Sequence, residues 1–149
     1  MEFLKATYIE HYDTWANEFT FSTDVRVRFS ETDMYGHLNN TVPFTYFELA
    51  RIEYLKHLNF KSWANPTNNI LVVADLQCDF LQQVLFDELL SIYVKPEKIG
   101  NSSVDLHYLA KNEKGIPVFV GRGTVVQIDK NTGKAAPWSE EERQILLGK

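Results

Sequence analysis

From Phe19 onward the chain alternates. Phe19, Phe21, Thr23, Val25, Val27 and Phe29 interleave with Thr20, Ser22, Asp24, Arg26, Arg28 and Ser30, the period-two pattern of a strand with one buried face. The period then changes. Beyond a polar stretch from Glu31 to Asn40, Phe44, Phe47, Ala50, Tyr54 and Leu58 recur at helical spacing, and Val42, Tyr46, Leu49, Ile52 and Leu55 widen the stripe. This predicts a helix from near Thr41 to about Leu58. Asn40 or Thr41 can cap it, and Pro43 falls in its first turn, where a missing N–H costs little. Only Thr45, Glu48, Arg51, Glu53 and Lys56 supply polarity, so such a helix has to be wrapped on most sides.

Lys61 to Asn69 is turn chemistry, dense in Asn with one Pro. Alternation then returns over Ile70–Leu81, Leu85–Lys95, Ser103–Lys111 and Pro117–Asp129. The separators Gln82–Gln83, Glu97–Asn101, Asn112–Gly115 and Lys130–Gly133 are short, which favours antiparallel neighbours. Gly121 and Gly123 in the last strand mark a bulge or a close backbone approach. Ser139 with Glu142 forms a potential capping box for a short final helix. Residues 1–18 read as an extension or short helix packing on the body, and 137–149 as a tail. The order is strand, long apolar helix, four strands. It predicts one α+β domain over residues 1–149, with an antiparallel five-stranded sheet wrapped around a long central helix.

Composition narrows the function classes. The 149 residues carry 44% hydrophobic and 23% charged side chains, with a net charge of −5. These are the proportions of an ordinary globular domain, and the acidic balance argues against a general nucleic-acid binder. No apolar run is long enough to span a bilayer. The N-terminus lacks the basic-then-apolar order of a signal peptide, which leads us to expect a cytoplasmic protein. Cys78 is the single cysteine and reads as a small buried apolar residue. The charge is uneven: residues 1–94 hold 6 basic and 13 acidic side chains, whereas 95–134 hold 7 and 4. The second half could hold an anionic ligand or simply present a solvated strand face. There is no G-x-S-x-G elbow, no phosphate loop and no complete G-x-G-x-x-G. No His/Cys cluster has zinc spacing, so the expected chemistry uses no metal.

The candidate chemistry lies between strand and helix, where Thr32, Asp33, Gly36, His37, Asn39 and Asn40 deliver a carboxylate and an imidazole to a helix N-terminus. Unpaired N–H groups and the helix dipole there can stabilise developing negative charge. Asp33 could also do no more than close an Asx turn. His11, His57 and His107 read as structural or solvent-facing, and Tyr46 and Phe47 as core.

Arg26-Val27, Thr32-Asp33, Gly36, Tyr46-Phe47-Glu48 and Ala50-Arg51 together resemble the hotdog-fold thioesterases of the 4-hydroxybenzoyl-CoA thioesterase type. The Asp33-to-Glu48 spacing fits without a gap. Weaker matches follow at Ser102-Ser103, Asp129, Thr132-Gly133-Lys134, Pro137 and Glu141-Glu142-Arg143. Where several bacterial members carry a histidine seven residues after the aspartate, this chain has Asn40, and its His37 stands four residues after Asp33. That variant is similar to the acyl-ACP thioesterases of plants, although Tyr35 replaces their intervening asparagine and Gln83 falls where they use an acid.

The resemblance implies hydrolysis of an acyl-CoA or acyl-ACP thioester. Asp33 would act as general base or nucleophile, His37 would orient water or donate to the carbonyl, and N–H groups near Asn40 and Thr41 would be oxyanion donors. Asn39 and Asn40 become candidates for placing substrate, and Lys95, Lys98, Ser102 and Ser103 for holding the CoA phosphates. CoA is then part of the substrate and no cofactor is expected. The implied assembly is a homodimer or homotetramer with sites between subunits, without nucleic acid or membrane as partner. Two rival readings remain: a hotdog hydratase or dehydratase acting on enoyl thioesters, and a non-catalytic acyl-thioester binder.

Overall fold

The protein is described by a computed structural model covering residues 6–60 and 68–149; most of the turn expected at Lys61–Asn69 lies outside them. The elements are α1 (Tyr12–Asn17), β1 (Phe21–Arg26), a 3-10 turn (Phe29–Glu31), α2 (Val42–Leu58), β2 (Asn69–Val73), β3 (Gln77–Phe80), β4 (Leu89–Ile99), β5 (Ser103–Lys111), β6 (Pro117–Asp129) and α3 (Glu140–Leu146).

The alternating segments pair as one antiparallel sheet in the order β1-β4-β5-β6-β2, with β3 also pairing β6. The strand expected over 70–81 is thus two pieces on one neighbour. It breaks because the Asp75 carboxylate accepts from Thr124 N at 2.7 Å and from Arg122 Nη1 at 3.1 Å, replacing ladder bonds with side-chain bonds. The crossing needs Gly123, where a Cβ would stand 2.6 Å from the Asp75 carbonyl oxygen. β1 is shorter than its alternation because the chain turns into the 3-10 segment at Phe29. β4 starts later than Leu85, after a turn in which Asp87 takes φ 70°. It also runs past Lys95 to Ile99, with a register shift between Pro96 and Lys98 that accommodates the proline.

α2 lies on the concave face. Tyr46, Phe47, Ala50, Tyr54 and Leu55 are buried there against Leu90, Ile92, Leu106, Tyr108 and Phe119. Phe47 stacks on Tyr108 with ring centroids 4.4 Å apart. The helix ends at Asn59, in the left-handed region, whose N–H donates to the carbonyls of Leu55 and Lys56. Wrapping is less complete than its apolarity predicts, since Leu49 remains 40% exposed and Glu48 is exposed too. Gly121 makes the close approach the sequence suggests, because an added Cβ would run into the Phe47 ring.

On the opposite face, Ala6, Ile9, Trp15 and Phe19 of the N-terminal segment pack on Leu109 and Val120 as a second cluster. His107 is buried beneath it. Trp15 Nε1 donates to His107 Nδ1 at 2.8 Å, and His107 Nε2 lies 3.0 Å from Asp105. Cys78 packs against the inner core, and burial, with Asp79 adding, pushes its thiol up to about 12. The box anticipated at Ser139 forms: Glu142 N donates to Ser139 Oγ, and Ser139 N to Glu142 Oε1.

Candidate active site

Between β1 and α2 the chain folds back on itself. Asp33 N donates to the His37 carbonyl at 2.8 Å, and Gly36, at φ +80°, makes the turn between them. Leu38 N donates to Val84 O at 2.7 Å, which pins this hairpin to the segment after β3. The same fold-back carries the chain to the start of α2.

Asp33 is half-buried. Its Oδ1 accepts from Tyr35 N at 2.9 Å and from His37 N at 3.1 Å. The carboxylate therefore does close an Asx-type turn, yet among the described residues nothing donates to Oδ2. At the helix start, Asn39 Oδ1 accepts from Thr41 N and Thr41 Oγ1, both at 3.1 Å, and Asn39 O accepts from Val42 N at 3.0 Å. Asn39 thus closes a turn just before the helix, and Thr41 occupies the N-cap position without a side-chain bond to the helix. Pro43 has no N–H. Among the described residues the Asn40 N–H, just before the helix, has no acceptor, which makes it a donor available at this end of the helix.

These groups open onto a cavity of about 590 Å³ lined by Asp33, His37, Asn39 and Asn40 on one side and by Phe80, Gln82, Gln83 and Phe119 on the other. His37 makes no side-chain hydrogen bond among the described residues; its ring lies 6.5 Å from that of Tyr35. Around the mouth Met34 is 87% and Tyr35 75% exposed, and Phe80, Leu85 and Phe86 are each more than half exposed. Among the described residues, no cluster of three His, Cys, Asp or Glu side chains is gathered for a metal ion, and no helix is long and apolar enough to cross a membrane.

The remaining candidates are not brought to this cavity. Ser103 pairs with Val126, seven residues along β6 from Phe119, or about 23 Å at strand rise. Lys98 and Ser102 lie at that same far end. Lys95 is a correction to the sequence reading. Its side chain is 6% exposed and its Nζ sits 3.1 Å from Glu18 and 3.0 Å from Glu97, over the rings of Trp15 and Phe19. It ties the N-terminal segment to β4 and does not face a phosphate. The basic surplus of residues 95–134 is similarly spent in part on Arg122, which pairs with Asp75 and Asp105.

The comparisons with known proteins identify the family. Residues 27–146 match the profile of the thioesterase-like superfamily. The chain belongs to that superfamily. It is a hotdog-fold thioester hydrolase, and the resemblance carried by the Asp33 segment is borne out. Among its relatives, the Bacillus subtilis (strain 168) protein YsmA is 49% identical over 136 residues, 91% of each chain. The long-chain acyl-CoA thioesterase FadM of Escherichia coli K12 is 26% identical over 83% of this chain and 95% of its own. A Thermus thermophilus thioesterase, solved in complex with coenzyme A and zinc, superposes with a TM-score of 0.75 at 29% identity, over 87% of this chain and 94% of that one.

Sequence reasoning missed the far wall of the cavity. Phe80, Leu81 and Phe119 read only as strand residues and Val84 fell between two strands, because the crossing that brings β3 over β6 has no local signature. It also missed Glu31, whose carboxylate is held by Arg28 in the same turn and by Tyr46 on α2.

Proposed function

We propose that this thioesterase hydrolyses acyl-CoA, with Asp33 as the group that activates water or attacks the carbonyl. The observation that carries the reading is the asymmetry of the Asp33 carboxylate. One oxygen is fixed by two backbone N–H groups, while the other has no donor among the described residues, and Asp33 and Asn40 both line the cavity. A base held in orientation with one lone-pair face open is what general-base attack on a thioester requires.

In this reading Asp33 Oδ2 takes a proton from water as the water oxygen bonds to the thioester carbon. The carbonyl electron pair moves onto oxygen, and the Asn40 N–H, at the positive end of α2, donates to that oxyanion. Collapse breaks the C–S bond, and the proton held by Asp33 passes to the leaving thiolate, giving the acid and CoA. Direct attack by Oδ2, followed by hydrolysis of the mixed anhydride, uses the same two groups. His37, free of other side-chain bonds, orients the water. Phe80, Leu81, Val84 and Phe119 supply an apolar wall for the acyl group.

The functional unit we propose is a homodimer. The outer edge of β2–β3 has no strand partner among the described residues, and Val73, Phe80 and Leu49 are exposed beside it, a combination that isolated chains avoid. Lys98 and Ser102 would reach a CoA bound at Asp33 only from a second subunit.

The test is a panel of straight-chain and aromatic acyl-CoAs and acyl-ACPs, assayed for thiol release. Turnover with at least one acyl-CoA is expected. Loss of enoyl absorbance from crotonyl-CoA without thiol release would assign hydration instead. Saturable binding without turnover would make the protein a carrier or sensor.

A further inference from the structure

A charged side chain that is not in contact with the cavity lies directly behind it. Glu31 is 8% exposed, and burying a carboxylate is costly unless it is fully bonded. Its Oε1 accepts from Tyr46 Oη and from Arg28 N, both at 2.8 Å, and its Oε2 from Arg28 Nη2 at 3.1 Å. Its backbone is equally committed: Glu31 N donates to Arg28 O at 2.9 Å, and Asn39 N donates to Glu31 O at 2.8 Å. One residue thus joins the end of the first strand segment, the second turn of α2 through Tyr46, and the backbone immediately before Asn40. Asp33 follows two residues later.

Stability alone is a poor reason for this arrangement. The Arg28 side chain is 75% exposed, so its pairing with the buried carboxylate adds little, and an aliphatic residue at 31 against phenylalanine at 46 would fill the space without desolvating a charge. What an aliphatic pair would not supply is direction. Two of the three bonds hold the carboxylate within its own turn, to Arg28, and the third, from Tyr46 Oη, ties that turn, which leads into Asp33, to the helix that begins just after Asn40.

We propose that the Glu31–Tyr46 pair is a positioning device for thioester hydrolysis, setting the Asp33 carboxylate against the start of α2. The proposal rests on the reading of Asp33 given above. Neither residue touches substrate. Their effect falls on the transition state, which needs base and oxyanion donor together, and not on ground-state binding, which does not.

The experiment measures kcat and KM for Tyr46→Phe, Glu31→Gln and Glu31→Ala on the best substrate of the panel, in wild-type and Asp33→Ala backgrounds, with thermal melts alongside. Small displacements of a catalytic group carry rate losses of about 10- to 100-fold, so Tyr46→Phe and Glu31→Ala should lose that much in kcat with KM within about twofold. Glu31→Gln keeps an acceptor for Tyr46 Oη and Arg28 N, and should retain kcat within about threefold. In the Asp33→Ala background, Tyr46→Phe should change the residual rate by less than about twofold, because the residue it positions is gone. Wild-type kcat in folded Tyr46→Phe overturns the proposal, as does an equal loss with Asp33 absent. If Tyr46→Phe does not fold, equal kcat values for Glu31→Gln and Glu31→Ala overturn it. Wild-type activity in Asp33→Ala alone would instead overturn the reading of the site, and the positioning role with it.

Discussion

Replacing Gly121 by alanine should damage both stability and the cavity. Gly121 pairs with Cys78 on β3 and Tyr108 on β5, and the Phe47 ring lies over it where a Cβ would have to go. The same Cβ would also stand 2.7 Å from the Gln77 carbonyl oxygen. Neither neighbour can retreat cheaply. Phe47 is fully buried, stacked at 4.4 Å on Tyr108 and 5.7 Å from Phe119, and Gln77 O belongs to strand backbone. Overpacking of this kind costs about 1–3 kcal/mol, and two unyielding contacts put Gly121→Ala near the top of that range. In a chain of this size each kcal/mol moves Tm by about 2–4 °C, so a fall of about 6–12 °C is expected in a calorimetric or fluorescence melt at fixed protein concentration. Phe119 forms part of the cavity wall, so displacing Phe47 should lower thiol release as well. Adding Phe47→Leu should give back part of the loss, making the double variant more stable than the sum of the single effects. A Tm within about 1 °C of wild type for Gly121→Ala would refute the argument from close approach.

Two further outcomes are expected. Burial holds the His107 pKa below its ordinary 6.5, against the opposing pull of Asp105 and Glu97. The folded state therefore resists protonation while the unfolded chain accepts it, and stability should be undiminished above pH 6.5 and fall as pH drops below that value toward the lowered pKa. Protonation also removes the acceptor for Trp15 Nε1, so indole fluorescence or the Trp15 indole NMR signal of the folded protein should change at the lower, folded-state pKa, and His107→Gln should abolish that change. Asn39→Ala removes the acceptor for Thr41 N and Oγ1 and should cost about 0.5–1.5 kcal/mol in urea unfolding, the usual worth of a hydrogen bond; an unchanged midpoint would contradict a stabilising role for that turn.

The sheet and central helix were legible because their information is local. Alternation at Val104, Leu106, Tyr108 and Ala110 and helical spacing at Phe47, Ala50 and Tyr54 each name an element and its buried face. The Asp33 turn was legible for the same reason, since Gly36 acts within a few residues of it. What was not legible depends on long-range contact. The break at Asp75 is imposed by Arg122 and Thr124, nearly fifty residues away. Lys95 looked like a phosphate ligand in a basic stretch until Glu18, from the far end of the chain, met it at 3.1 Å. Glu31 carried no mark of burial, because the phenol that satisfies its inner oxygen comes from α2, which the fold lays against the turn, while the Arg28 bond lies within the turn itself.

The unpaired oxygen of Asp33 carries the central claim. The most direct test is kcat/KM for thiol release by Asp33→Ala on the best acyl-CoA of the panel, with circular dichroism to show that the fold is kept. Loss of a general base costs about 10²- to 10⁴-fold, and a fall in that range is expected, with His37→Ala falling less. A folded Asp33→Ala enzyme that hydrolyses acyl-CoA at the wild-type rate would contradict the account.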